Sequence, residues 1–182
     1  MSLSWVDILM GASIARCIWT GRKSGFVNEF FKLLGVFFAA IVALHYYARL
    51  GEYFFKKSLA AETQKEVFAF VVLTIGIYIL FSLIREGWLI ILKIQLPAGI
   101  DQWGALSLAI LRSYLVCGLI LIGFGISGNN SIKNAANGSL SRPVFKNSAA
   151  GLYQFFYSNI IHPFFPDEPL NEKAFKEAIP NT

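Results

Sequence analysis

Two cations lie between two glycines in the stretch TGRKSGFVNEF, residues 20–30, where Arg22 and Lys23 separate Gly21 from Gly25. Glycines beside a lysine could cradle a phosphate group, because backbone N–H groups and an ammonium bind its oxygens. A phosphate-binding loop needs G-x-x-x-x-G-K-[ST] after a strand, and this stretch has neither. Two interpretations stay open: a reversal between membrane helices with its cations at the lipid headgroups, or a cation pair that binds a ligand or partner there.

Other residues that could do chemistry are few and scattered. The sequence has no G-x-S-x-G or H-E-x-x-H motif, and no Ser, His and Asp set that chain order would bring to one depth. His45 and His162 are far apart and lack ligand spacing, while Cys17 and Cys117 lie in apolar runs. We therefore expect a protein that is not an enzyme and that carries no metal and no cofactor.

The composition indicates a membrane protein. Of the 182 residues, 55% are hydrophobic and 15% are charged, whereas a typical soluble domain has about 25% charged residues. The mean hydropathy is +0.56. The net charge of +5 comes from cations scattered singly or in pairs. Because no basic stripe is interleaved with aromatic residues, the expected partner is the lipid bilayer and not a nucleic acid.

Four apolar runs approach the length of about 20 residues that a helix needs to cross a bilayer. They predict spans at about residues 5–20, 30–47, 67–86 and 105–126, the third with a longer alternative that ends at residue 92. Short connections make successive helices antiparallel neighbours, so residues 1–127 are predicted to form a compact bundle of four transmembrane helices, an all-α membrane protein. A cleaved signal peptide fits the first run poorly, because residues 1–6 contain no Lys or Arg. The distribution of Lys and Arg leaves the orientation open.

The composition changes after residue 127, so that residues 128–182 are predicted to be a linker, an interfacial segment and a tail. Residues 128–151 are rich in Ser, Asn and Gly, which predicts a loop outside the bilayer. Residues 152–166 are crowded with Phe and Tyr but too short to span, which is typical of a segment in the headgroup layer. Residues 167–182 are expected to be a solvated tail with one or two helical turns.

Charged residues inside the predicted bundle are candidates for function, because charge is costly in a bilayer. Arg112 lies within the fourth span, and Glu86 would reach a similar depth if the third helix continued to residue 92. We predict a Glu86–Arg112 pair. The alternative ends the third helix near Ile84 and sends Arg85 and Glu86 to the interface.

Two aspartates lie near the starts of predicted helices. Asp101 precedes the fourth helix and is expected to cap it by accepting from the free N–H groups of its first turn. Asp7 has two open interpretations: a cap of the first helix, or a group that faces a polar cavity.

Small residues at four-residue spacing predict close contacts between helices. The second span carries Gly35, Ala39 and Ala43, and the first carries Gly11 and Ala15. Small side chains let membrane helices approach closely, so the favoured interpretation is packing inside the bundle. Self-association between chains is the alternative.

Four motifs, in the same order and at matching distances, resemble the colicin V production protein family of bacterial inner-membrane proteins. They are WVDI near the start, GRKSGFVNEFFKLLG at the second helix, ALHYYARL at its end and GIDQWGALSLAILRS at the fourth helix. The resemblance covers about residues 5–126 and extends more weakly into the tail. The chain departs from the family pattern at Ser24, Gln102 and Ser113.

The resemblance implies a multi-pass inner-membrane protein that is required for the production or export of a peptide toxin and is linked to envelope homeostasis. Two mechanistic classes stay open. A scaffold or accessory subunit would dock a membrane-protein partner through the small-residue stripe and the aromatic tail. A small channel or transporter would form a homo-oligomer in which Glu86, Arg112 and Asp7 line a polar path.

Overall fold

The computed structural model describes residues 4–54, 62–91, 97–127, 129–145, 148–164, 166 and 169–171, and these ranges contain helices and no strand. Four long helices come first: α1 Trp5–Lys23, α2 Phe26–Phe54, α3 Glu62–Ile91 and α4 Ala98–Ile126. Shorter helices follow: α5 Asn130–Asn137, α6 Arg142–Phe145, α7 Ser148–Phe156, a π-helical segment Tyr157–Ile161 and α8 His162–Phe164. The all-α prediction is confirmed for the described residues.

Three of the described helices are long and apolar enough to cross a membrane, over Phe26–Tyr53, Thr63–Trp88 and Gly99–Ile126. Each is longer than the predicted span, because the helix continues through polar residues at its ends. The 19-residue α1 is not among the three, and it carries Asp7, Arg16, Arg22 and Lys23. The run at residues 5–20 therefore forms a helix, and its passage across a bilayer stays a prediction.

α2 and α4 form the centre of the bundle. They run in the same direction, because α3 returns the chain between them, and Asp101 at the start of α4 contacts Phe26 at the start of α2. α1 packs against α4, whereas α3 packs mainly against α2. Apolar side chains fill the main core between them, including Ala40, Leu44 and Tyr47 of α2, Phe70 of α3, and Leu115, Leu119 and Ile122 of α4.

The described residues between 129 and 151 are largely helical, where the sequence predicted a loop. α7 lies against α2 and α4, and its Ala149, Ala150 and Tyr153 are buried in the same core. A Cβ on Gly118 of α4 would collide with the hydroxyl oxygen of Ser148, so glycine lets the start of α7 approach. The contact depends on tertiary packing, which the Ser-rich and Asn-rich composition of the segment did not reveal.

Polar contacts attach the last described residues to the bundle. The hydroxyl of Tyr153 and Nδ1 of His45, both buried, share a hydrogen bond of 2.8 Å. The side-chain amide of Asn171 donates to the carbonyl oxygen of Leu44 at 2.8 Å. The aromatic segment 152–166 thus enters the core at Tyr153, and its place in the headgroup layer stays a prediction. The predicted tail beyond residue 171 lies outside the described residues.

Small residues mark the helix contacts within the chain. A Cβ on Gly35 would lie 3.1 Å from the Cβ of Phe81 on α3. Ala39 and Ala43, next on the same stripe of α2, are almost fully buried. Gly21 is buried within α1 against Ala109 of α4, so the prediction that it forms part of the reversal is wrong.

We expect Gly21→Ala to destabilise the protein. The added Cβ would collide with the Cβ of Ala109, and neither atom can move without its backbone, so α1 and α4 must separate. Overpacking of this kind costs about 1–3 kcal/mol. Reversible unfolding in detergent micelles measures the change. Gly11→Ala on the same helix is the matched control, because nothing lies within 4 Å of its Cβ position; equal stability of the two variants would contradict the prediction.

Candidate functional site

Arg112 links three helices from the middle of α4. Its side chain is 7% exposed, and Nη1 lies 3.0 Å from Oε2 of Glu29 on α2, an ion pair that is not aligned as a hydrogen bond. Its Nη2 donates to α1, to the carbonyl oxygen of Cys17 at 3.3 Å and to Oγ1 of Thr20 at 3.0 Å. An arginine at this depth is costly unless it is paired, and Glu29 is its pair.

Glu29 is fully buried and serves a second cation. Its Oε1 accepts from Nζ of Lys32 at 2.6 Å, and the same ammonium donates to Oγ of Ser24 at 2.7 Å. One carboxylate therefore balances two cations, Lys32 and Arg112. The sequence placed Glu29 in the reversal. The spacing Glu29-x-x-Lys32 at the start of an apolar helix was the signal that could have identified it.

The predicted Glu86–Arg112 pair is wrong. α3 does continue to Ile91, but the side chain of Glu86 is 66% exposed and lies 3.6 Å from Arg85. The physical reason is the parallel arrangement of α2 and α4, which brings Glu29 to the guanidinium instead.

Asp101 caps a helix other than the predicted one. It lies inside the first turn of α4, which begins at Ala98. Its Oδ1 accepts from the backbone N–H of Phe26, the first residue of α2, at 2.7 Å. A Cβ on Gly25 would lie 3.0 Å from both carboxylate oxygens, so glycine makes room for this contact. The carboxylate thereby satisfies a free N–H group at the start of α2.

Asp7 caps the start of α1 and also accepts hydrogen bonds from Ser141 in the C-terminal region. It forms a capping box with Ser4, whose backbone N–H donates to Oδ2 at 2.9 Å. Its Oδ1 accepts from the hydroxyl of Ser141 at 2.6 Å and from the Ser141 N–H at 2.9 Å. The Ser141 hydroxyl and then the Ser4 N–H stabilise the ionised form and lower the pKa of Asp7 to about 2. The capping interpretation is therefore correct.

Arg22 and Lys23 lie in the last turn of α1 and are exposed, and the reversal itself consists of Ser24 and Gly25. The ammonium of Lys23 lies 4.8 Å from the ring centroid of Trp19, a cation–π contact. Whether the two cations lie at lipid headgroups or bind a ligand stays a prediction.

A cavity of about 760 Å³ adjoins the ion network and is called the α1–α3 cavity below. α1 and α3 form its sides, and α2 and α4 form its floor. Its walls are mainly apolar, and Arg16, Lys32 and Arg112 are its charged lining residues. Among the described residues, no group of three or more His, Cys, Asp or Glu side chains could hold a metal ion.

The family model described as Colicin V production protein matches residues 6–150, which confirms the resemblance of the sequence motifs and extends it into α7. Neither the curated proteins nor the solved structures include a match.

We expect Glu29→Gln and Arg112→Gln each to lower the free energy of unfolding by about 3–5 kcal/mol, because each leaves a buried charge without its partner. The double variant removes both charges, so its cost should be smaller than the sum of the single costs. Unfolding in mixed micelles measures all three. Glu86→Gln is the control, with an expected change within about 0.5 kcal/mol. Additive single effects would show that Glu29 and Arg112 are not coupled.

Acid should release the Ser141 segment from α1. The pKa of Asp7 in the folded protein, about 2, is below the ordinary value of 3.8. The contact therefore stabilises the fold fully above about pH 4 and is lost as the pH falls towards 2. Hydrogen exchange of residues 139–145, followed by mass spectrometry from pH 5 to pH 2, measures the release. Asp7→Asn should remove this dependence and Asp101→Asn should keep it; an unchanged acid response in Asp7→Asn would refute the assignment.

Proposed function

The chain belongs to the colicin V production protein family, and we propose that it is a multi-pass protein of the bacterial inner membrane that acts without catalysis. It serves as a scaffold or accessory subunit in the production or export of a peptide toxin, or in envelope homeostasis. In this proposal α1 completes a bundle of four transmembrane helices beside α4, and Asp7 lies at its aqueous end.

The pairing of the intramembrane charges with each other is the observation that favours a scaffold. Glu29 and Arg112 bind each other and join α1, α2 and α4 of one chain. A polar path through the chain would need charged groups along its length. Of the residues proposed for such a path, Asp7 accepts from Ser141, Arg112 is paired with Glu29, and Glu86 is 66% exposed on α3. The three residues proposed for such a path thus support a structural role better than a channel.

The outer face of α3 supports a docking role. Within an 18-residue apolar stretch of the α3 span, 11% of the residues are buried, against 44% for the corresponding stretch of α2 and 56% for that of α4. The stripe of Gly35, Ala39 and Ala43 is occupied inside the chain, so it does not supply the docking surface that the sequence suggested. On α3, no atom of the described residues lies within 4 Å of the Cβ position of Gly76, which lets another helix approach closely.

Purification of the full chain in mild detergent, with the particle mass and the identity of co-purifying proteins, tests the proposal. We expect a second membrane protein in stoichiometric amount. Gly76→Leu should reduce its recovery, because the added side chain lies on the outer face of α3. Gly11→Leu on α1 is the matched control, since its Cβ position is equally open.

A homogeneous homo-oligomer without a partner, able to conduct ions or solutes after reconstitution, would contradict the scaffold and favour the channel class. Substitution of Arg112 and Glu86 would then show whether either residue lines the pore.

A further inference from the structure

The α1–α3 cavity is long enough to hold a lipid chain. Along α4 its lining residues run from Arg112 to Ser127, a distance of about 22 Å at 1.5 Å per residue. One leaflet contributes about half of the 30 Å hydrocarbon core, or about 15 Å. Val71 and Ile75 line the cavity and are exposed, so the cavity is open beside α3.

Among the described residues, cations outnumber carboxylates at one end of the cavity. Its charged lining residues Arg16, Lys32 and Arg112 are all cations. Glu29 behind them supplies one carboxylate, already shared by Lys32 and Arg112. Counting only the residues that the structure describes, two positive charges of this cluster have no counter-charge, in surroundings where the low dielectric strengthens the attraction for an anion.

A buried donor at the same end also lacks an acceptor. Arg112 as a whole residue is 5% exposed. Its Nε–H has no hydrogen-bond partner among the residues that the structure describes. A buried polar group without a partner is rare in native proteins and calls for a missing ligand or solvent molecule. Phosphate oxygens suit a guanidinium well, because its donors bind two of them at once.

We propose that the α1–α3 cavity binds one acyl chain of an anionic phospholipid, with the phosphate against Arg112, Arg16 and Lys32. A neutral apolar molecule would contact the apolar walls and leave the cations without a counter-charge. A small soluble anion would balance the cations and leave the apolar walls empty. A phospholipid satisfies both parts and reaches the cavity from the bilayer through the opening at Val71 and Ile75.

Native mass spectrometry of the full chain, purified in mild detergent, tests the proposal by titration with phosphatidylglycerol and with phosphatidylcholine of the same acyl chains. We expect one phosphatidylglycerol per chain, bound about tenfold more tightly than phosphatidylcholine, since a hydrogen bond to a charged group contributes this much. Arg16→Gln should weaken phosphatidylglycerol about tenfold and leave phosphatidylcholine unchanged. Arg16 is chosen because it is exposed, whereas substitution of Arg112 would break the pair with Glu29.

A second pair of variants tests the apolar part independently of charge. Val71→Trp places a large ring at the opening of the cavity and should weaken phosphatidylglycerol at least about tenfold. Val72→Trp, the next residue and equally exposed, does not line the cavity and should bind as the parent protein does. Equal binding of the two lipids, equal binding by the two tryptophan variants, or displacement of the lipid by inorganic phosphate would each overturn the proposal.

Discussion

A carboxylate and a guanidinium buried between parallel helices are the constraint on which this bundle depends. Glu29 of α2 and Arg112 of α4 lie 3.0 Å apart, and the same guanidinium reaches α1 through Cys17 and Thr20. Inside a bilayer the hydrophobic effect does not hold helices together, because lipid tails are as apolar as the side chains. Because charged side chains are costly in contact with lipid, burial of the Glu29–Arg112 pair determines where the helices meet.

The second constraint lies at the same end of the bundle. Asp101 of α4 accepts from the N–H of Phe26, so the start of α2 is completed by another helix and not by its own residues. Gly25 admits the carboxylate, and Gly21 admits Ala109 one turn earlier on α1. The two-residue turn, the cap and the ion pair together fix the relative heights of α1, α2 and α4. α3 is attached mainly to α2 and takes no part in these contacts.

The sequence predicted the features that depend on the local residue pattern. The long apolar runs predicted α2, α3 and α4, and the small-residue stripe predicted the close contact at Gly35. The ion-pair partner of Arg112 was not predictable, because it depends on helix direction and tilt. The sequence suggested Glu86 on the neighbouring helix α3, whereas the partner is Glu29 on the parallel helix α2. α7 was missed because its small residues carry no strong period, and only the space at Gly118 reveals that they can be buried.

The same arrangement explains why the bundle contains a cavity. α1 is held to α4 by Arg112 and Gly21, and α3 is held to α2 by Gly35, so these contacts leave α1 and α3 apart on this side. Lys32 lies at this gap, where it serves Glu29 on one side and lines the cavity on the other. A bundle with apolar side chains alone could have closed the space by repacking. Here Lys32 and the buried Arg112 keep this end polar, so the space suits a molecule with an anionic end and an apolar body.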